Sequence, residues 1–326
     1  MLFFRFPFGE NIMTVDENPD RNFVSFVSFD QSETLNFKGN LNVISKEEFL
    51  NNQHFTSEIP NILKEFNTEN QENYLEKLEK VIDFIKENQL SKLVYSRIKL
   101  LDYQDLNESE NINLSQSFLK LCENYPNAFA YLFIENGICW MGAFSEILGK
   151  FNKETNEFET MSLAGTLPIN EDWTSKEIEE QKPVSDYIFN ILSEYSDNVH
   201  QSETYDHISG NIKHLRTNFK AKINPEELEK LISVLHPTPA VCGIPKDFCK
   251  KAIERFEQHP RSFYAGYIKV ETAKEILYFV NLRCAEFLKN VALIHVGGGI
   301  TSQSNPEKEW RETELKSQAI LNSLVF

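Results

Sequence analysis

Apolar positions recur along the 326 residues with two distinct periods. "NFVSFVSF" alternates apolar and polar, the pattern of a half-buried strand, and residues 1–60 read as short strands and turns. From about Asn73 the spacing becomes three and four, which predicts an amphipathic helix in "ENYLEKLEKVIDFIKENQL". "KLVYSRIKLL", from Lys92 to Leu101, returns to alternation. A helix is expected near 114–123, then paired strands in "AFAYLFIENG" and "ICWMGAFSEILGKF", turned at Glu135-Asn136-Gly137. "FETMSLAGTLP" reads as a strand entering a glycine turn, followed by a long helix over 174–195. "HISGNIKHLRTNFKAKI" alternates again, while 225–235 and 245–258 carry helical spacing. Three further strands, "SFYAGYIKV", "ILYFVNLRCAEF" and "NVALIHVGGGI", lead to a last helix with Asn305 as N-cap and Pro306 in its first turn. No linker, repeat or low-complexity segment divides the chain. The expectation is one α+β domain over 1–326, with large antiparallel sheets and helices packed outside.

Composition narrows the possible partners. Hydrophobic residues make up 41% of the chain and include 26 Phe, ample for a sizeable core. A formal net charge of −16 argues against nucleic acid and anionic membrane, which both need basic surface. The five cysteines are scattered and form no CxxC pair, which fits reduced thiols rather than a zinc knuckle or a disulfide framework. "MLFFRFPF" is apolar, but Arg5 and Pro7 interrupt it, and no apolar run reaches membrane-spanning length. A cytoplasmic protein is expected.

Candidate chemistry concentrates in a few segments. The last helix carries Glu307, Glu309, Glu312 and Glu314 ahead of Lys316, just after Gly297, Gly298 and Gly299. Glu309, Glu312 and Lys316 share one face. That face is either a solvated one with an i,i+4 ion pair, or a hard-metal site where glycines let backbone approach a ligand. Lys92, at a strand start, is either a snorkelling surface lysine or a general base. Glu146 lies among apolar residues on an expected strand, as an edge position or as a buried proton donor. Glu180 sits on an acidic helix face that would ordinarily be solvated. His214 and His236 read equally as core histidines, and no HxxxH or HxE spacing supports zinc. Arg283 suits a salt bridge or a carboxylate clamp.

Taken in chain order, "KLVYSR", "GAFSEIL", "MSLAGT", "KEIEEQ", "KHLRT", "LHPTPAVCGIP", "RSFYAGYI" and "GGGITSQSNPEKEWRETELK" resemble the chorismate-utilising enzymes, in particular the isochorismate synthase branch. The resemblance runs from about Lys92 to the C-terminus. It implies a single domain of two large antiparallel sheets flanked by helices, with Mg²⁺ held by carboxylates over chorismate. Glu180 and Glu312 would be the metal ligands, with Glu309 acting through water. Arg283 and Lys316 would hold substrate carboxylates. Ala164, Gly165, Thr166, Gly297 and Gly298 would offer close contacts, and Tyr264 and His214 would line the pocket. Within the family, aminodeoxychorismate synthases carry a lysine at the position of Ala164. Anthranilate synthases need a glutaminase partner and lack the lysine matching Lys92. Lys92 with Ala164 therefore resembles the water-using branches, with no glutaminase subunit and a monomer or weak homodimer. Lys92 would act as base on water and Glu146 as acid on the leaving C4 hydroxyl, giving isochorismate. Salicylate synthases share these residues and then eliminate pyruvate, and a catalytically silent relative is the remaining alternative. Gln181 stands where the family usually has a histidine.

Overall fold

"AFAYLFI" shows how the sheets are built: Phe129, Tyr131 and Phe133 enter one apolar core, while Ala128, Ala130, Leu132 and Ile134 enter another. Successive side chains leave a strand on opposite faces, so a strand apolar at every position is buried on both. The computed structural model describes residues 1–16, 22–51, 69–103, 112–209 and 212–326. Among these residues the strands form two sheets, and every pairing between them is antiparallel.

The first sheet runs Gly243–Ile244, Lys92–Asp102, Val291–Ile300, Cys284–Phe287, Ile138–Phe144, Phe129–Glu135, Leu2–Arg5, Ile12–Val15 and Leu41–Ile44. The second runs His200–Gln201, Ile212–Lys222, Glu157–Pro168, Ile147–Asn152, Glu275–Val280, Tyr267–Glu271, Asn22–Val27 and Thr34–Lys38, with Tyr205–Ser209 also paired to Ile212–Lys222. Between the sheets lies a core rich in phenylalanine, where Phe129 stacks on Phe279 at 4.4 Å. Helix Ser175–Tyr195 packs on the second sheet. Helix Pro306–Leu321 packs on strand Val291–Ile300, and helix Gln71–Glu87 packs on that helix in turn.

Most expected elements are present, and two differ in a way that matters for the site. "ICWMGAFSEILGKF" is not one strand. Phe144 pairs with Phe129 in the first sheet, whereas Ile147 pairs with Phe279 in the second, so the chain changes sheets at Ser145–Glu146. "ILYFVNLRCAEF" changes sheets likewise at Asn281–Arg283, where Arg283 takes a φ of +46°. The two corners are stitched together: Val280 N–H donates to Glu146 O, and Ala143 N–H donates to Arg283 O. Alternation cannot reveal such a corner, because the residues beside it, Phe144 and Ile147, are apolar alike whichever sheet they join. "SFYAG" is a turn rather than a strand, with Ser262 and Ala265 at positive φ. A short helix, Lys46–Asn51, was not expected, and the part of the 1–60 reading at 17–21 and 52–60 lies outside the described residues.

A buried ion pair holds the strand that carries Lys92. Glu257 Oε1 accepts from Ser96 N–H at 2.7 Å and from Arg261 Nη2 at 2.6 Å, while Arg261 also donates to Val241 O and Val94 O. Removing one member of such a pair leaves an uncompensated buried charge. Arg261→Met is therefore expected to lower unfolding stability by about 3–5 kcal/mol, read from the shift in urea midpoint.

Candidate active site

The two sheet-changing corners, the start of strand Lys92–Asp102 and the glycines of strand Val291–Ile300 enclose one cleft of about 860 Å³, open solvent included. Lys92, Glu146, Ala164, Gly165, Thr166, Glu180, His214, Tyr264, Arg283, Gly297, Gly298 and Lys316 all line it. Glu309 and Glu312 line an adjoining recess that shares Thr166 with the cleft. Residues spread over most of the chain are thus brought to one place.

Lys92 is only 1% exposed, and its ammonium donates to Glu180 Oε1 at 2.8 Å. Helix Ser175–Tyr195 presents that carboxylate. Thr174 N–H donates to Glu177 at the helix start, in the manner of a capping box, and Gln181 bonds Ser162 one position beyond Glu180. Gly299 makes the approach possible. A Cβ at that position would sit 2.4 Å from Glu180 Oε1 and 2.5 Å from Lys92 Cε.

Glu146 occupies the first corner and is 5% exposed. Burial pushes its carboxyl up to about 7, against the pull of Lys92, Lys316 and Arg283. The residue is therefore half protonated near neutrality, as a proton donor at that pH requires.

Arg283, in the second corner, donates from Nη2 to His214 Nε2 at 3.2 Å. His214 Nδ1 lies 3.0 Å from Gly165 O, which assigns the proton to Nδ1 and leaves Nε2 as acceptor. Burial, then Arg283 and Lys316, hold His214 well below its ordinary value, so the ring is neutral. Gly165 has a φ of +72° at a bulge in strand Glu157–Pro168, and this backbone conformation aims its carbonyl at His214.

Lys316 donates to Glu312 Oε1 at 2.7 Å and to Gly297 O at 2.9 Å. The i,i+4 ion pair allowed by the spacing is present, at the edge of the cleft rather than on a solvated face. Beside it, Glu309 Oε2 and Glu312 Oε1 lie 3.4 and 3.5 Å from the point where a side chain on residue 298 would begin. Glycine there leaves a cradle edged by two carboxylate oxygens, donors that suit a hard divalent cation. Among the described residues, no three His, Cys, Asp or Glu side chains gather closely enough to hold a metal. The Glu180 carboxylate is turned to Lys92, and that of Glu312 to Lys316.

His236 lies outside the cleft, with its Nε2 3.3 Å from Phe29 O. Gly299 and His295 also line the cleft. The sequence reading named Gly299 only as one of the three glycines and passed over His295, although alternation along "VALIHVGGGI" places both on the face of Gly297.

The cleft gathers three cations, a carboxyl raised to about 7 and a carboxylate cradle, a lining whose chemistry suits a small, acidic organic molecule. Comparison with known proteins makes this specific. Residues 14–325 match the family described as "Chorismate binding enzyme", and the chain belongs to that family. Isochorismate synthase 2 of Arabidopsis thaliana is 38% identical over 115 residues, covering 35% of this chain and 20% of that protein. Isochorismate synthase EntC of Escherichia coli is 28% identical over 204 residues, covering 58% of this chain and 52% of that protein. The matches thus span about half or less of those relatives' lengths. A putative 2,3-dihydroxybenzoate-specific isochorismate synthase, DhbC from Bacillus anthracis, shares the fold with a TM-score of 0.78 at 22% identity, over 99% of this chain and 95% of that one. MenF, the menaquinone-specific isochorismate synthase of Escherichia coli, also has a TM-score of 0.78, at 18% identity, over 99% and 88%.

The raised value of Glu146 has a consequence for stability. The folded chain binds that proton more tightly than the unfolded chain, so the contribution is full below about pH 4.5 and is lost as pH rises through about 7. Glu146→Gln escapes the loss. Its stability relative to the parent is expected to grow between pH 5 and 8 by about 3 kcal/mol. Denaturant titrations at the two pH values measure this, and an unchanged difference would mean that the carboxyl titrates as it does in water.

Proposed function

We propose that the chain is an isochorismate synthase, an isomerase that interconverts chorismate and isochorismate. The observation that carries this reading is a buried amine, Lys92, and a buried carboxyl held near pH 7, Glu146, on one cleft; the resemblance adds that Ala164 stands where aminodeoxychorismate synthases carry a lysine. With no amine nucleophile there, water is the attacking group. In its neutral form Lys92 removes a proton from water, whose oxygen bonds to C2 of the ring as the double bonds shift. Glu146 gives its proton to the departing C4 hydroxyl, so one water enters and one leaves. Arg283 and Lys316 bind the carboxylates of chorismate, with His214 orienting the guanidinium.

Glu180 and Glu312, with Glu309 behind them, are the residues that would hold Mg²⁺, the first two turning from Lys92 and Lys316 to do so. When bound, the ion would supply positive charge for a substrate carboxylate and reduce the negative charge that Glu180 presents to Lys92. A dianionic substrate and a chain of net charge −16 make such a local reversal of sign necessary. No helix among the described residues is long and apolar enough to cross a membrane. The reaction is assigned to the cytoplasm on a different ground, the scattered free cysteines, which suit a reducing compartment.

Purified chain incubated with chorismate and Mg²⁺ is expected to form isochorismate, to lose activity in excess chelator and to regain it when Mg²⁺ is restored. Lys92→Ala should reduce kcat at least about a hundredfold while leaving chorismate binding largely intact. Coupling to lactate dehydrogenase reads pyruvate. Stoichiometric pyruvate with salicylate fluorescence would make the chain a salicylate synthase, and full rate in chelator would remove the metal from the scheme.

A further inference from the structure

Several buried polar side-chain atoms among the described residues have no hydrogen-bond partner in the protein. Within this cleft they belong to His295 alone, and they are both of its ring nitrogens. The residue is 3% exposed. Its ring is sandwiched between Trp140, at 5.0 Å, and Tyr264, at 5.5 Å, each inclined by 24°. Stacking of this kind satisfies the ring faces and nothing in the ring plane, where a neutral imidazole carries one N–H donor and one lone pair. Burial, then His259 and Arg261, hold its value down at about 3, so the ring is neutral at any working pH. The neighbouring His259, 6.2 Å away between ring centres, has its Nε2 engaged with Ser96 Oγ. A phenylalanine would fill the same sandwich without leaving two polar atoms unmet.

His295 also has a definite place along the cleft. It shares a strand face with Gly297 and Gly299, and Gly299 marks the position of Lys92. Four residues of strand separate His295 from that point, about 13 Å. Its register partner is Cys284, the residue after Arg283. The stacked Tyr264 and the guanidinium of Arg283 lie close enough to influence each other's titration. The histidine therefore stands at the end of the cleft away from the base and beside the carboxylate clamp.

We propose that His295 is a further substrate-binding residue: its ring N–H donates, directly or through one ordered water, to an oxygen of the ligand carboxylate held by Arg283. This rests on the carboxylate-bearing substrate proposed above. The contact exists before, during and after the chemical step, so its loss weakens binding and leaves the chemistry itself alone.

His295→Phe keeps the aromatic sandwich and removes both nitrogens. It is expected to raise KM for chorismate at least about fivefold with kcat within about twofold, and to keep or raise the thermal midpoint. Calorimetric titration of chorismate into the Lys92→Ala background, where turnover is stopped, should show the same fivefold loss, and His295→Gln should recover part of it. Unchanged KM and Kd in His295→Phe would overturn the proposal and leave the ring a packing residue. In intact unsubstituted protein, the ¹⁵N signals of the His295 ring should move on titration with chorismate. This measurement decides the matter if the phenylalanine variant does not fold, and static signals at saturation would overturn the proposal. Absence of any chorismate binding by the unsubstituted chain overturns both readings, whereas normal binding that ignores the His295 substitutions overturns only this one.

Discussion

Lys92 is 1% exposed and needs a polar partner where it is buried, and its meeting with the carboxylate of Glu180 organises the surrounding structure. The ammonium comes from the first sheet. The carboxylate comes from a helix packed on the second, so one ion pair fastens the two layers across the cleft. Their separation of 2.8 Å leaves no room for a side chain on the strand between them, which is why that strand reads glycine at 299. Breaking either member would leave the other buried and unpaired, a cost of several kcal/mol.

Around that pair the electrostatics of the cleft oppose those of the whole chain. The surface is acidic, yet the cleft gathers Lys92, Arg283 and Lys316 against Glu146 and Glu180. Glu146 counts for only part of a charge near neutrality, because burial outweighs the three cations that pull it down. Arg283 is aimed by a neutral histidine, itself fixed by a backbone carbonyl at a bulge. The guanidinium of Arg283 is thus oriented by an uncharged ring behind it, an arrangement that avoids adding further buried charge there.

Much of this was legible in the sequence, for reasons that differ by residue. The N-cap Asn305, the helix after it and the shared face of Glu309, Glu312 and Lys316 follow from local spacing, and the structure has them. The hairpin at Asn136-Gly137 follows from the two residues most tolerant of positive φ, which they adopt. Convergence of the site residues came from resemblance, since no local pattern links Lys92 to Glu180 across 88 positions. The sheet-changing corners escaped detection because hydrophobic periodicity reports burial and not which sheet does the burying. Glu146 was placed on a strand for that reason. His295 was passed over because a lone histidine in an apolar strand gives no sign of whether its nitrogens are met.

The corners at Ser145–Glu146 and Asn281–Arg283 have a consequence beyond the residues they carry. Each is the point where one strand ends in one layer and the next begins in the other, so the acid and the guanidinium ride on the seam between the sheets. Besides the ion pair across the cleft, the phenylalanines of the interior, such as Phe129 against Phe279 at 4.4 Å, set the gap between those layers. Interior packing therefore acts as the ruler for the reacting groups. Lineages that diverge in those rings would retune the reach of one layer's chemistry to the other's without touching a cleft residue, and drift in the core becomes a slow adjustment of the active geometry.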